Sequence, residues 1–110
     1  MSVTVKIKGS TITACLKGEI DHHTAPDMRS AIDDAVTSCD TAKKVVLDFS
    51  GVSFMDSSGV GLVMGRCRTA ALTGKRVSVV NLSERDYRIM KMSGIEKIAP
   101  LAKRGQGVNS

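Results

Sequence analysis

The stretch Val45-Val46-Leu47-Asp48-Phe49-Ser50-Gly51-Val52-Ser53-Phe54-Met55-Asp56-Ser57-Ser58-Gly59-Val60-Gly61 decides how the chain is built. Its first five residues form a short, nearly continuous apolar run, the pattern of a central strand covered on its faces. The polar and small residues from Ser50 to Asp56 then read as a loop. From Ser57 to Thr73, the apolar residues Val60, Val63, Met64, Cys67 and Ala71 recur at helical spacing, with Gly74 as the stop. A strand leading through a loop into an amphipathic helix is half of a βα unit. The polar cluster Asp56-Ser57-Ser58-Gly59 falls at the helix start, where backbone N–H groups lack partners and the helix dipole is positive.

Outward from this centre the pattern continues. Val3 to Lys8 and Thr11 to Lys17 alternate with period two around a Gly9-Ser10 turn and read as a β-hairpin. A helix opens near Thr24-Ala25-Pro26-Asp27, with Thr24 as its expected cap and proline in the first turn. Met28, Ile32, Ala35, Val36 and Cys39 make its buried stripe. Arg76 to Leu82 reads as a strand, Ser83 starts a third helix that Gly94 stops, and Ile95 to Leu101 suggests a short last strand. The order β-β-α-β-α-β-α with a possible final strand predicts an α/β fold. Its sheet is mixed, with four to five strands and helices packed on at least one face.

The length of 110 residues fits one domain, with 103–110 expected to form a flexible tail. Composition is ordinary for a globular chain, at 42% hydrophobic and 25% charged. No apolar run is long enough to span a bilayer, and the N-terminus alternates rather than forming a signal core, so a cytoplasmic address is expected. Cys15, Cys39 and Cys67 are too few and too scattered for a disulfide framework or metal knuckle. The net charge of +5 raises the question of nucleic acid, but an aromatic content of 3% leaves too few stacking platforms. The basic residues Arg66, Arg68, Lys75, Arg76, Arg85, Arg88 and Lys91 are expected on a solvated face.

Two readings of the Asp56–Gly59 cluster compete. In one it is a plain helix cap, with Gly59 allowing close packing. In the other, an exposed serine hydroxyl awaits a phosphoryl group whose charge would repel a docked acidic partner. His22-His23 carries no spacing that completes a metal site, and a Ser57–His–Asp21 triad lacks the G-x-S-x-G elbow. Nucleotide binding is disfavoured because no phosphate-loop glycine spacing occurs. Met28, Met55, Met64, Met90 and Met92 read as core fillers first, with a docking surface as the alternative for Met55 and Met92, which flank the motif blocks.

Three blocks carry a resemblance: Gly18-Glu19-Ile20-Asp21-His22-His23-Thr24-Ala25, Ser53-Phe54-Met55-Asp56-Ser57-Ser58-Gly59-Val60-Gly61, and Met92-Ser93-Gly94-Ile95-Glu96-Lys97-Ile98. In this order they resemble the anti-sigma factor antagonists, STAS domain proteins, and most closely their sporulation branch. The resemblance implies the STAS fold, with helices mainly on one face of the sheet. It also implies a non-enzymatic regulator without cofactor, metal, nucleic acid or membrane. Its partners would be an anti-sigma factor serine kinase carrying ADP or ATP, and a PP2C-type phosphatase. The unphosphorylated form would bind the kinase and release the sporulation sigma factor, and phosphorylation on Ser57 would switch it off. Asp21, His22, Asp56, Ser58 and Gly59 are then expected at the partner surface. The alternative is a STAS partner-switching module of a general stress-response or sensory pathway.

Overall fold

The computed structural model describes residues 2–106. Along the chain lie β1 (Ser2–Lys8), β2 (Thr11–Ile20), α1 (Ala25–Ser38), β3 (Lys44–Met55), α2 (Ser57–Leu72), β4 (Arg76–Leu82), α3 (Glu84–Met92) and β5 (Leu101–Lys103). The sheet runs in the order β1-β2-β3-β4-β5. β1 and β2 are antiparallel, and every later pairing is parallel. The hairpin turns at Gly9, whose φ of +58° suits a residue without Cβ.

Inward residues of the central strands (Ile12, Ala14, Leu16, Val45, Leu47, Phe49, Val77, Val79) form one buried cluster. Met28, Ile32 and Val36 of α1, Leu62, Val63 and Ala70 of α2, and Met90 of α3 join it. All three helices therefore cover the same face. The opposite face, with Thr13, Cys15, Val46, Asp48, Ser78 and Val80, stays half-buried. β3 is central but covered on one side, a correction to its reading as a strand sheathed on both.

The expected loop from Ser50 to Asp56 is strand almost throughout. Between the pairs Cys15–Asp48 and Lys17–Gly51 the chain advances two residues on β2 and three on β3. Between Gly18–Val52 and Glu19–Phe54 it advances one against two. Each shift is a bulge that inserts one residue into β3. The inward positions consequently run Phe49, Val52, Met55, a stride of three that breaks alternation and reads as irregular in sequence. Gly51 is required at the first bulge, because a Cβ there would lie 2.8 Å from the Leu16 carbonyl oxygen.

α2 is rotated by about one residue from its expected orientation. Its buried positions are Gly59, Leu62, Val63, Arg66 and Ala70, while Val60 and Cys67 are half-buried and Met64 and Ala71 exposed. Arg66, expected in solvent, is 5% exposed. Its Nε sits 2.6 Å from Asp33 Oδ1 on α1, and Nη1 donates to the Leu62 carbonyl at 3.3 Å. Lys75 is likewise 5% exposed. The expected strand over Ile95–Leu101 is replaced by a 3-10 turn at Ile95–Lys97, with pairing beginning only when the Pro100 carbonyl accepts from Val79 N–H. Gly94, at φ +85°, turns the chain sharply there. Lys103 to Gln106 are held by backbone bonds, including Arg104 N–H to Leu82 O at 2.9 Å, rather than forming a free tail. Residues 107–110 lie outside the described residues. Among the described residues, no helix is long and apolar enough to cross a membrane.

Candidate functional site

The parallel strands β2 and β3 end side by side at the paired residues Ile20 and Met55. The Asp56 N–H extends the ladder by donating to the Ile20 carbonyl at 3.1 Å. Beyond this point β2 enters the Asp21–Thr24 turn and β3 enters α2. Two of the three sequence blocks thus meet at the C-terminal ends of adjacent parallel strands, where ligands and partners are commonly met in α/β sheets.

The Asp21 turn is self-locking. Asp21 Oδ1 accepts from the N–H groups of Thr24 at 3.0 Å and His23 at 2.8 Å. In return, the Thr24 hydroxyl accepts from Asp21 N–H at 3.0 Å and donates to Glu19 O at 2.8 Å. The Thr24 amide, followed by that of His23, holds the Asp21 carboxyl below its ordinary value. Thr24 does not cap α1 with its side chain, contrary to expectation, because its oxygen is already committed backward to this turn. The rings of His22 and His23 lie against each other with centroids 4.0 Å apart and planes tilted by 38°, and both are exposed.

On the facing side, Asp56 is extended and caps α2, its Oδ1 accepting from Ser58 N–H at 2.8 Å. The capping reading of the cluster is therefore realised in full. It leaves Ser57 as the first helical residue, exposed, with no hydrogen-bond partner for its hydroxyl among the described residues. A hydroxyl at this position has access to solvent and a favourable field for negative charge. No histidine hydrogen-bonds to it, so no triad forms among the described residues.

Gly59 is buried against Met55, and a Cβ there would collide with the Met55 Cγ and Sδ atoms. Met55 is fully buried, as its reading as a core filler expects, whereas Met92, at 82% exposed, and Met64, at 37%, lie outside the core. His22 and Ser58 line one groove of about 420 Å³ between the N-terminal halves of α1 and α2, with Pro26, Gly61 and Leu62 along it.

Arg85 escaped the sequence reading as a site residue. Its Nη1 donates to the Met55 carbonyl at 2.9 Å, and its Cζ lies 5.1 Å from the centre of the half-exposed Phe54 ring. Arg104 Nη2 similarly reaches the Val52 carbonyl at 3.3 Å. No local pattern reveals such contacts, since the partners are 30 and 52 residues apart. Together they tie down the end of β3 just before Ser57.

Residues 2–106 match the STAS domain family. The chain is 35% identical over 86 residues to an anti-sigma F factor antagonist of Paenibacillus polymyxa, covering 78% of this chain and 73% of that protein. It is 28% identical over 107 residues to the anti-sigma-B factor antagonist of Bacillus subtilis, covering 97% and 95%. Among solved structures, the anti-sigma factor antagonist SpoIIAA in its unphosphorylated form superposes with a TM-score of 0.76 at 30% identity, covering 93% of this chain and 89% of that one. The phosphorylated form of SpoIIAA gives 0.70 at 30% identity, covering 93% and 92%. By sequence and by architecture, the chain belongs to the STAS domain family, among the anti-sigma factor antagonists.

Proposed function

We propose that this protein acts as a phosphorylation-controlled anti-sigma factor antagonist. In its unmodified form it binds an anti-sigma factor that is also a serine kinase, and so frees a sporulation sigma factor. The observation that carries this reading is the Ser57 hydroxyl, exposed and unpartnered at the start of a helix whose cap is supplied by the preceding aspartate. The neighbouring SpoIIAA fold, solved with and without phosphate, supports it.

In the transfer, Ser57 Oγ attacks the γ-phosphorus of ATP held by the kinase. The new O–P bond forms as the bond to the bridging oxygen breaks, ADP leaves, and the hydroxyl proton passes to a base on the kinase. The chain itself supplies the nucleophile, its position and its surroundings. The product carries about −1.5 to −2 charges at pH 7, beside the Asp56 carboxylate and near the Asp21 turn. In a desolvated interface, that charge without a partner weakens docking. Asp21, His22, Asp56 and Ser58 form the docking rim around it, buried Gly59 supports the rim from beneath by packing on Met55 rather than touching the partner, and a PP2C-type phosphatase resets the state. No catalytic role falls to this chain.

A second reading, a module of a general stress-response circuit, is favoured by the anti-sigma-B antagonist of Bacillus subtilis, which matches nearly the whole chain. One experiment addresses both. The protein is incubated with MgATP and each of two anti-sigma kinases, one from the sporulation and one from the stress circuit. Phosphate on Ser57 with the sporulation kinase alone supports the first reading, and with the stress kinase alone the second. Phosphate on another residue, or on none, refutes the assignment of Ser57.

A further inference from the structure

The sheet face that carries no helix has two neighbouring rows of residues rich in cations at the end remote from Ser57. Strand register places Lys8 beside Thr11, Thr11 beside Lys44 and Lys44 beside Arg76, one row across four strands. The next row on the same face is Lys6, Thr13, Val46 and Ser78. Ile12, Val45 and Val77, which separate the two rows, are buried in the core, so both rows face outward. β3 runs for 12 residues from Lys44 to Met55, on the order of 35 Å. The cations and Ser57 therefore occupy opposite ends of the molecule.

Lys6, Lys8, Lys44 and Arg76 are all exposed. Lys44 and Arg76 stand directly opposite each other on adjacent strands, about 5 Å apart at the backbone, and like charges so placed disfavour the sheet. The carboxylate nearest along β3 on this face, Asp48, lies four residues from Lys44 and is committed to the Asn81 amide and the Ser50 N–H. Lys6, Lys8 and Arg76 make no side-chain hydrogen bond or ion pair among the described residues. The patch thus adds repulsion to the fold and leaves its attraction directed outward.

We propose that this patch docks an acidic, extended segment of a partner protein, whose Asp and Glu carboxylates pair with Lys6, Lys8, Lys44 and Arg76. Charge complementarity selects a polyanion, and shape selects among polyanions. Sheet twist of about 20–25° per strand turns the row through about 60–75° from β1 to β4. A planar bilayer meets one end of such a row at a time, whereas a flexible chain follows all of it. No aromatic residue stands in either row, which leaves no platform for the bases of a single-stranded nucleic acid. The hydroxyls of Thr11, Thr13 and Ser78 lie among the cations and suit the amide groups of a peptide backbone. This site is independent of the reading of Ser57 and goes beyond it: when occupied, it leaves the Ser57 end free for a second partner.

The test is fluorescence anisotropy on the full chain, with a fluorescein-labelled peptide of about 12 alternating Glu and Ser residues as probe, at about 50 mM salt. Saturable one-to-one binding is expected, weakened at least about fivefold at about 200 mM salt. Lys8→Gln/Arg76→Gln should cost about tenfold or more in affinity. Arg88→Gln/Lys91→Gln removes the same charge from α3 and should cost less than about threefold. All four substituted side chains are exposed, so both variants keep the fold. Ser57→Asp should leave the affinity within about twofold, because its charge lies well beyond a Debye length from the patch. The proposal is overturned by any of four results: no saturable binding, equal losses in the two double variants, loss of binding in Ser57→Asp, or tighter binding of oligothymidylate or phosphatidylglycerol vesicles than of the peptide.

Discussion

Removing Asp33 should damage this protein more than removing the arginine it pairs with. The Asp33 side chain is 29% exposed, whereas that of Arg66 is 6% exposed. Their atoms approach to 2.6 Å, but the Arg66 Nε–H is not aligned for a hydrogen bond to that oxygen, so the attraction is mainly charge on charge. Burial pushes the Arg66 guanidinium below its ordinary value, and the Asp33 charge pulls it back up. Asp33→Ala leaves a cation between α1 and α2 with only the Leu62 carbonyl for company. An uncompensated buried charge costs about 3–5 kcal/mol, and the partial exposure of Asp33 reduces this to about 2–3 kcal/mol. For a chain of this size, such a loss lowers the melting temperature by about 10–15 °C. Arg66→Met instead leaves the carboxylate, which water can reach, and places an unbranched apolar chain beside Leu62. Its expected cost is about 0–1 kcal/mol. Urea denaturation of both single variants and of Asp33→Ala/Arg66→Met gives the coupling directly. The double variant should recover most of the stability lost in Asp33→Ala. Equal costs for the two single variants, or a double variant no better than Asp33→Ala, would refute the reasoning.

Ser57→Ala should take up no phosphate and hold its kinase persistently, whereas Ser57→Asp should weaken kinase binding at least about tenfold; unchanged affinity by surface plasmon resonance refutes the charge mechanism. Gly59→Val should cost about 1–3 kcal/mol by forcing Met55 from its pocket, while Ser58→Ala, which keeps the capped N–H, stays within about 0.5 kcal/mol. Equal urea midpoints for these two would remove the packing role of Gly59. Burial raises the Asp48 carboxyl, but bonds from the Asn81 amide and Ser50 N–H outweigh it and leave the group below its ordinary value of 3.8. Asp48 therefore contributes stability that is complete above that value and disappears as the pH falls through its lower folded value. Between pH 5 and pH 2 the native chain should lose more stability than Asp48→Asn; parallel acid profiles would contradict this.

Features set by neighbouring residues were legible in the sequence, and those set across the sheet were not. The Gly9 turn, the Ser83 cap (its hydroxyl oxygen accepts from Asp86 N–H at 3.1 Å) and the Gly74 stop all act within a few residues. The bulges of β3 depend on where β2 pairs with it, so Phe49, Val52 and Met55 gave no alternation to read. The rotation of α2 followed from Arg66 finding a carboxylate on another helix, which counting apolar residues cannot anticipate. Thr24 had the right chemistry for a cap and spent it on Asp21 instead. Ser57 and Asp56 were legible because a helix start is announced locally, while the bond from Arg85 to Met55 O spans 30 residues and leaves no trace in either segment.

The corner bearing Ser57 is fastened on both flanks, by Ile20 O on one side and by Arg85 through Met55 O on the other. A corner so braced has little room to rearrange, so a phosphate placed on it by the proposed switch would be read as a change of surface rather than of shape. The response time of such a switch would be governed by how quickly complexes come apart, not by any slow remodelling of the backbone. Side chains around the corner are also free to diversify between circuits while the scaffold beneath them stays the same.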